Sequence, residues 1–405
     1  MEQVLTYRYR LYPTREQEKA ILHTLEITRR YYNALIEEKA ALFRETGVWK
    51  RKLPSIVSIE EYAKKNNVEK TTLEIVANTF DEAFRRFLWI YNHKDDQYKE
   101  QAKGRVYGAE KDGLSEIDLK GYPEKKSQYA PKKSYRVLSS QVWWQTNQVM
   151  LPQIGWVPIK LHRLPPEDAK IRGITILWKS TGKYYLLVKF KVEVPEICYD
   201  PLSNDALGVV FVPGHVAVRS DLVPVEAKYS DPDLEEKVKR AYRVLQRRNP
   251  GSKRYEKQRK KLARLIDKQT AQRTDARHKA ARAIVDTGKP IGIQVPEVKK
   301  MANYYKKQGM EHLIREDGWY QMYAFVSYKA KLKGLWVNPV YRRSYPINRT
   351  CSLCGTTLDS EPEAEVWTCP NCKSVWIKSH NAAKNIQRLT EEFIQEWKAT
   401  SEASG

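Results

Sequence analysis

Apolar positions change their period several times along the chain, and each change marks an element. Over 4–12 they alternate, with Leu5, Tyr7, Tyr9 and Leu11 on one side and Thr6, Arg8 and Arg10 on the other. That pattern predicts a half-buried strand, ended by Pro13. Thr14-Arg15-Glu16-Gln17 is a capping box, and Ile21, Leu25, Thr28, Tyr32 and Leu35 share one face of the helix it opens. Leu73, Val76, Phe80, Phe84, Phe87 and Tyr91 recur at helical spacing and predict a second long helix over 71–91. Residues 92–135 are polar and glycine-bearing without a sustained period, so they read as a flexible loop leading to Gly121-Tyr122-Pro123. Strands resume over 143–161 and again over 171–192 around Ser180-Thr181-Gly182. Together these segments predict a mostly antiparallel barrel with a helical insertion.

A boundary is expected at 196–204, and a strand starts again at Leu207. Leu234, Val238, Ala241 and Leu245 give a helix a buried stripe, and Asn249-Pro250-Gly251-Ser252 separates it from a second helix. A strand at 291–295 follows, then a helix around Trp319, Met322 and Val326 closed by Gly334, then a strand at 335–340.

Charge adds a partner to this outline. The 405 residues hold 72 Lys plus Arg against 49 Asp plus Glu, a net charge of +23, which points to a polyanion and most simply to nucleic acid. The excess peaks over 237–282, where eighteen cationic residues face three acidic ones. Contacts from such a stretch would go mainly to phosphates and be indifferent to sequence. The length suits two or three domains. No run approaches eighteen apolar residues and the Met-Glu start carries no apolar signal, so the expectation is a soluble, cytoplasmic protein without a membrane partner.

Cysteine spacing adds a metal. Cys351 and Cys354 form one CxxC pair, Cys369 and Cys372 another, and fourteen residues separate the pairs. Each pair grips one side of a tetrahedral ion, so the four predict a zinc ribbon with no open coordination position, a structural rather than a catalytic site. Cys198 stands outside the ribbon and reads as a small buried hydrophobe.

Directly after the ribbon comes Ser379-His380-Asn381-Ala382-Ala383-Lys384-Asn385-Ile386. It resembles the D-x-N-A-A-x-N-I signature of TnpB, the RNA-guided nuclease of transposons and relative of type V CRISPR effectors. Further resemblances are the opening YRLYPTxxQ pattern, Ala83-Phe84 with Phe87, the stretch from Leu151 to Gly155 with the one from Ile159 to Arg163, the GSK-x-R segment at Gly251, and the strand from Ile291 to Met301. The resemblance covers nearly the whole chain. It implies a multidomain α+β protein: a wedge-type β-barrel (1–13 and 120–198), a helical recognition domain inserted in it (14–119), a RuvC/RNase H-like α/β domain (204–348 and 376–396) and the four-Cys zinc ribbon (349–375). The barrel would hold a guide RNA, and the polar side of the Thr71 helix would read a short motif beside the DNA target. Candidate nucleic-acid contacts are accordingly Arg8, Arg10, Lys70, Thr71, Asn78, His162 and Arg163, then Arg243, Arg247, Arg248, Lys253, Arg254, Lys257, Lys261, Arg264, Arg273 and Arg277. A lone histidine such as His162 in a strand is otherwise a structural residue.

Three positions depart from the pattern. Laid on 207–221 without a gap, the family's V-G-I-D strand agrees at Gly208, Ala217, Ser220 and Asp221 but puts Val210 where the aspartate stands. Gln294 replaces the glutamate of the second motif and Ser379 the aspartate of the third. Asp205 falls on the opposite strand face, Glu297 follows Pro296, and no acidic residue lies between Glu365 and Glu391. RuvC-type cleavage needs carboxylates to assemble a pair of Mg²⁺ ions, and valine, glutamine and serine supply no charge for that. The resemblance therefore implies a relative of the TnpB-like nuclease-dead repressors: it would bind a guide RNA and double-stranded target DNA, carry structural Zn²⁺ and no catalytic Mg²⁺, and repress transcription by occupying its target. The alternatives are an active RNA-guided endonuclease with a rearranged metal site and an RNA-binding transposon-accessory protein. Oligomeric state is open.

Overall fold

A computed structural model describes residues 2–402 apart from 51–57, 112–118, 168, 196–204, 213–214, 224, 226–230, 307–308, 310–317 and 342–344. The chain forms two compact units, one of residues 4–192 and one of residues 193–405 together with 1–3. Cys198 and the boundary expected at 196–204 lie outside the described residues.

In the first unit, strand β1 (Glu2–Leu11) buries Tyr7, Tyr9 and Leu11 and exposes Thr6 and Arg8, the alternation its sequence predicts. Helix α1 (Arg15–Thr46) starts at the expected capping box: the Thr14 hydroxyl accepts from Gln17 N, and the Gln17 side chain accepts from Thr14 N at 3.0 Å. It ends at Gly47, whose φ of +67° a side chain would resist. Helices α2 (Ile59–Asn66), α3 (Lys70–Asn92) and α4 (Asp96–Lys111) follow. Tyr32, Phe43, Phe80, Phe84, Phe87 and Tyr122 make their common core aromatic, with Trp49 stacked on Phe43 at 4.2 Å between ring centroids.

Helix α4 corrects the loop expected over 92–135. Asp95 initiates it by accepting from Tyr98 N at 2.7 Å, and its fully buried Ala102 and Val106 belong to the same core. Tyr98 packs beside them, and a stripe of three residues among polar neighbours is too short to give a sustained period. Strand β2 (Lys132–Val137) also lies in that stretch, burying Tyr135 and Val137 on either side of the exposed Arg136.

Strands β3 (Trp143–Gln145), β4 (Gln148–Leu151), β5 (Gly155–Lys160), β6 (Lys170–Lys179) and β7 (Lys183–Glu193) complete a seven-stranded sheet in the order β2-β6-β7-β1-β5-β4-β3. The order has two ends, β2 and β3, and no ladder joins them among the described residues, so the expected barrel is an open half-barrel. Its β6–β7 hairpin turns at Gly182, φ +78°.

The second unit holds a four-stranded sheet of β8 (Leu207–Val212), β9 (His215–Arg219), β10 (Ile291–Gln294) and β11 (Val337–Val340), ordered β11-β10-β8-β9. β10 runs parallel to both β8 and β11, while β9 returns antiparallel. Between β9 and β10 come α5 (Pro232–Gln246) and α6 (Lys253–Val285), then α7 (Val298–Lys306) and α8 (Trp319–Leu332) before β11. One sheet face, with Leu207, Val209, Phe211 and Ile293, packs on Ala281 and Ile284 of α6 and Met322 and Val326 of α8. The other face, with Val210 and Val340, packs on Ala382, Ala383 and Ile386 of the last helix, α9 (Lys378–Glu402).

The seating of α9 needs two glycines. Gly208 and Gly292 stand directly opposite each other in β8 and β10. A Cβ on Gly208 would strike the Ala383 carbonyl and come within 2.7 Å of Gln387 N; one on Gly292 would strike Thr390 Oγ1 and come within 2.8 Å of Ile386 Cγ2. The helix therefore rests on bare strand backbone, closer than side chains allow.

Candidate functional site

The cysteine quartet is built by two tight turns. Gly355 N donates to Cys351 O at 2.9 Å and Lys373 N to Cys369 O at 3.0 Å, each turn presenting its two thiols on one side. The hairpin of β12 (Val366–Thr368) and β13 (Val375–Ile377), with Trp367 opposite Trp376, holds the second turn in place. All four sulfurs lie within 4.8 Å of one another, with Cys351 to Cys372 at 3.7 Å and Cys354 to Cys369 at 3.6 Å. Zinc–thiolate bonds of about 2.3 Å at tetrahedral angles set sulfurs about 3.8 Å apart, so the quartet fits zinc. Hydrogen bonds from the Thr356 hydroxyl and backbone bring the Cys354 thiol down to about 5, whereas burial pushes Cys369 up to about 11. A divalent cation at the centre favours the thiolate at every position and overrides that split.

Among the described residues this quartet is the one group of three or more His, Cys, Asp or Glu side chains spaced to hold a metal. The three positions where the resemblance calls for carboxylates are different in kind. Val210 is 5% exposed and packs with Val340, Ile347, Ala382 and Ala383. Gln294, 3% exposed at the end of β10, accepts from the Phe211 backbone N–H at 3.2 Å, which satisfies a buried donor of β8. Ser379 lies in the first turn of α9, where the neighbouring His380 ring bonds Ser220 O at 3.0 Å. Nearby acids are engaged elsewhere: Asp205 with Lys289, Asp221 with Arg219, and Glu297 with Lys300 at 3.3 Å.

The rest of the α9 motif has a structural task. Asn381 and Asn385 are fully buried one turn apart. Asn381 donates to Thr350 O at 2.8 Å and accepts from Ser352 N at 2.9 Å, while Asn385 donates to Ile347 O at 2.9 Å and Thr350 O at 2.7 Å. The two amides fix the start of the ribbon, while Ala382, Ala383 and Ile386 face the sheet.

The basic candidates divide by placement. Arg243, Arg247, Arg248, Lys253, Arg254, Lys257, Lys261 and Arg264 are exposed on α5, α6 and the turn between them, although Arg243 also meets Glu236 at 2.7 Å. On α6, Lys253, Lys257, Lys261, Arg264 and Lys268 recur every three or four residues and make a cationic edge roughly 22 Å long. Arg273 is half-buried. Arg277 turns inward: it is 7% exposed, donates to Gln321 Oε1 at 2.6 Å and lies against Gly318, so it is packed rather than offered to a phosphate. In the first unit Lys70 pairs with Glu60 at 3.2 Å, Thr71 donates to Gln141 at 3.1 Å, and Asn78 is exposed. His162 and Arg163 are exposed beside Tyr9 and Tyr7, and Arg8 and Arg10 flank Tyr185. Tyr185 and the asparagine pair were not among the sequence candidates. The i, i+4 spacing of Asn381 and Asn385 was their available signal.

Residues 1–47 match the helix-turn-helix domain of OrfB_IS605, residues 230–305 the OrfB_IS605 probable transposase, and residues 319–386 the Cas12f1-like TNB domain. The first of these segments consists here of strand β1 and the single helix α1. A "Putative RNA-guided DNA endonuclease" of Streptomyces pristinaespiralis is 24% identical over 95% of this chain and 89% of its own. "Putative RNA-guided DNA endonuclease InsQ" of Escherichia coli K12 is 25% identical over 53% of this chain and 54% of its own. Among solved structures, a cryo-EM Cas12f1-sgRNA-target DNA complex covers 96% of this chain and 98% of its own at 14% identity, with a TM-score of 0.41. In sequence the chain is therefore IS605-transposase-like over 1–47 and 230–305, Cas12f1-like over 319–386, and similar along nearly its whole length to a protein named as a putative RNA-guided DNA endonuclease.

Proposed function

We propose that this protein is an RNA-guided, sequence-specific double-stranded-DNA-binding protein without nuclease activity, which represses transcription by occupying its target. One observation carries the reading: the three positions that should gather magnesium are a buried valine in an apolar cluster, a glutamine committed to the backbone of β8, and a serine. None brings the negative charge that Mg²⁺ requires of its ligands, and without it the attacking and leaving oxygens lack their stabilising ions. Binding makes no such demand. Guide pairing supplies sequence, and the exposed cations of α5 and α6 supply affinity for backbone phosphates. The ribbon, with a closed set of thiolates, serves as a structural zinc clasp.

The test is to purify the protein with its co-expressed RNA, identify that RNA, and present matching duplex DNA with Mg²⁺. The expected result is a guide-programmed footprint on intact DNA. The names of the relatives favour a second reading, an active endonuclease, and guide-dependent strand breaks in the same assay would establish it. RNA co-purification with no footprint would leave an RNA-binding accessory protein.

A further inference from the structure

The two cysteine turns repeat an arrangement of hydroxyls that holding four thiols together does not by itself require. In each turn the residue five places after the first cysteine accepts that cysteine's backbone N–H: Cys351 N donates to Thr356 O and Cys369 N to Ser374 O, both at 2.9 Å. The same two residues send their side chains to the second cysteine of the turn. Thr356 Oγ1 lies 3.3 Å from Cys354 Sγ, and Ser374 Oγ lies 3.0 Å from Cys372 Sγ. Each hydroxyl oxygen also accepts a hydrogen bond, Thr356 Oγ1 from the Asn371 side-chain amide at 3.0 Å and Ser374 Oγ from the Trp376 indole N–H at 2.8 Å. An oxygen that accepts on that side has its own proton to give on the other, so both hydroxyls are turned to donate toward sulfur.

Burial separates the sulfurs that receive these contacts from those that need them less. Cys351 and Cys369 are fully buried, whereas Cys354 is exposed and Cys372 half-buried. Ser374 Oγ also stands 3.6 Å from Cys351 Sγ, but its shorter contact is to Cys372. Four thiolates around one divalent cation carry more negative charge than the ion neutralises, and a thiolate is the form of cysteine that attacks electrophiles. A buried sulfur is out of their reach; an accessible one needs another protection. A hydrogen bond donated to the sulfur draws charge from it, lowers its nucleophilicity and fixes its direction toward the ion.

We propose that Thr356 and Ser374 are positioning residues of the zinc site, each donating its hydroxyl proton to the ligating sulfur of Cys354 or Cys372, and that they hold the ion in place against thiol-reactive compounds. The inference rests on the ribbon holding zinc, as proposed above, and is independent of whether the protein cuts DNA. The experiment adds iodoacetamide to the full-length protein purified with its zinc and follows the released ion with a colorimetric chelator. Thr356→Val, which keeps the shape and removes the donor, and Ser374→Ala should each release zinc about tenfold faster, while Thr356→Ser and Ser374→Thr should match the unmodified protein. Peptide mapping after brief exposure should find the alkyl group first on Cys354 in Thr356→Val and first on Cys372 in Ser374→Ala. After exchange of zinc for cobalt(II), the sulfur-to-cobalt charge-transfer band should move to longer wavelength in the two variants that lack a donor, and the ligand-field bands should keep the intensity of a tetrahedral site. A substitution that merely loosened the fold would not produce that pair of results. Unchanged release rates, unchanged charge-transfer bands, or failure of the conservative variants to restore the rate would each overturn the assignment. Protein purified without zinc would remove the clasp and this inference together, whereas guide-dependent DNA cleavage would remove the proposed function and leave both hydroxyls in their role.

Discussion

The cysteine ribbon and the pocket around Val210 belong to one unit and share one helix, yet they are completed in opposite ways. The ribbon gathers four thiols within 4.8 Å, which makes a site that is all ligand and almost no core. The pocket gathers Val210, Val340, Ile347 and the alanines of α9, all core and no ligand. The comparison separates two reasons for an arrangement to persist. A ribbon this small has little apolar surface of its own, so an ion held by its four donors would supply most of its stability. The pocket is stable through packing, so donors there would serve chemistry alone.

Replacing Cys351 and Cys369 together by serine should have the largest effect. Structural zinc contributes on the order of 10 kcal/mol at neutral pH, and its loss should unfold residues 349–375. Native mass spectrometry should show one zinc per chain before the change and none after it, with new proteolytic sites confined to the ribbon. Zinc-free wild-type protein with an intact ribbon would erase the contrast.

Val210→Asp tests the other side. A carboxylate among apolar neighbours should cost about 3 kcal/mol in urea unfolding, and added Mg²⁺ should not recover it. Recovery by millimolar Mg²⁺ would mean that the pocket holds ligands after all. Gly292→Ala comes next, since its new methyl would meet Thr390 and Ile386; about 2 kcal/mol should be lost and α9 should exchange its amide hydrogens faster. Asn385→Ala should cost about 2 kcal/mol by stranding the Ile347 carbonyl and leaving Thr350 O to Asn381 alone, and it should also speed metal release to a chelator, which links the two regions.

The smallest effect is a control in the other unit. Hydrogen bonds from Arg29 hold the Glu26 carboxyl down to about 2. A depressed carboxylate stabilises the fold above its ordinary value near 4.5 and loses that contribution as pH falls toward 2. Glu26→Gln should therefore reduce thermal stability at pH 6 and make no difference near pH 2.

Local chemistry made much of this readable in advance. Thr14 and Gln17 placed the start of α1, the aromatic period placed α3, and the CxxC spacing placed the thiol turns, because each is decided within a few residues. Features decided by distant partners were not readable. The open order of the sheet, the pairing of Gly208 with Gly292 and the alignment of Lys132 with Lys179 depend on register between remote strands. Helix α4 was hidden because the apolar stripe that anchors it is only three residues long, and Arg277 was misplaced because a count of charges along a segment does not say which way one of them turns.

The seat of α9 has a mechanical consequence. With no side chain cushioning it at Gly208 or Gly292, and with Asn381 and Asn385 clasping the chain where the ribbon begins, the helix has no slack toward either neighbour. It is a stiff lever: a tug on the cysteine finger arrives in the strands as a tilt instead of being absorbed on the way.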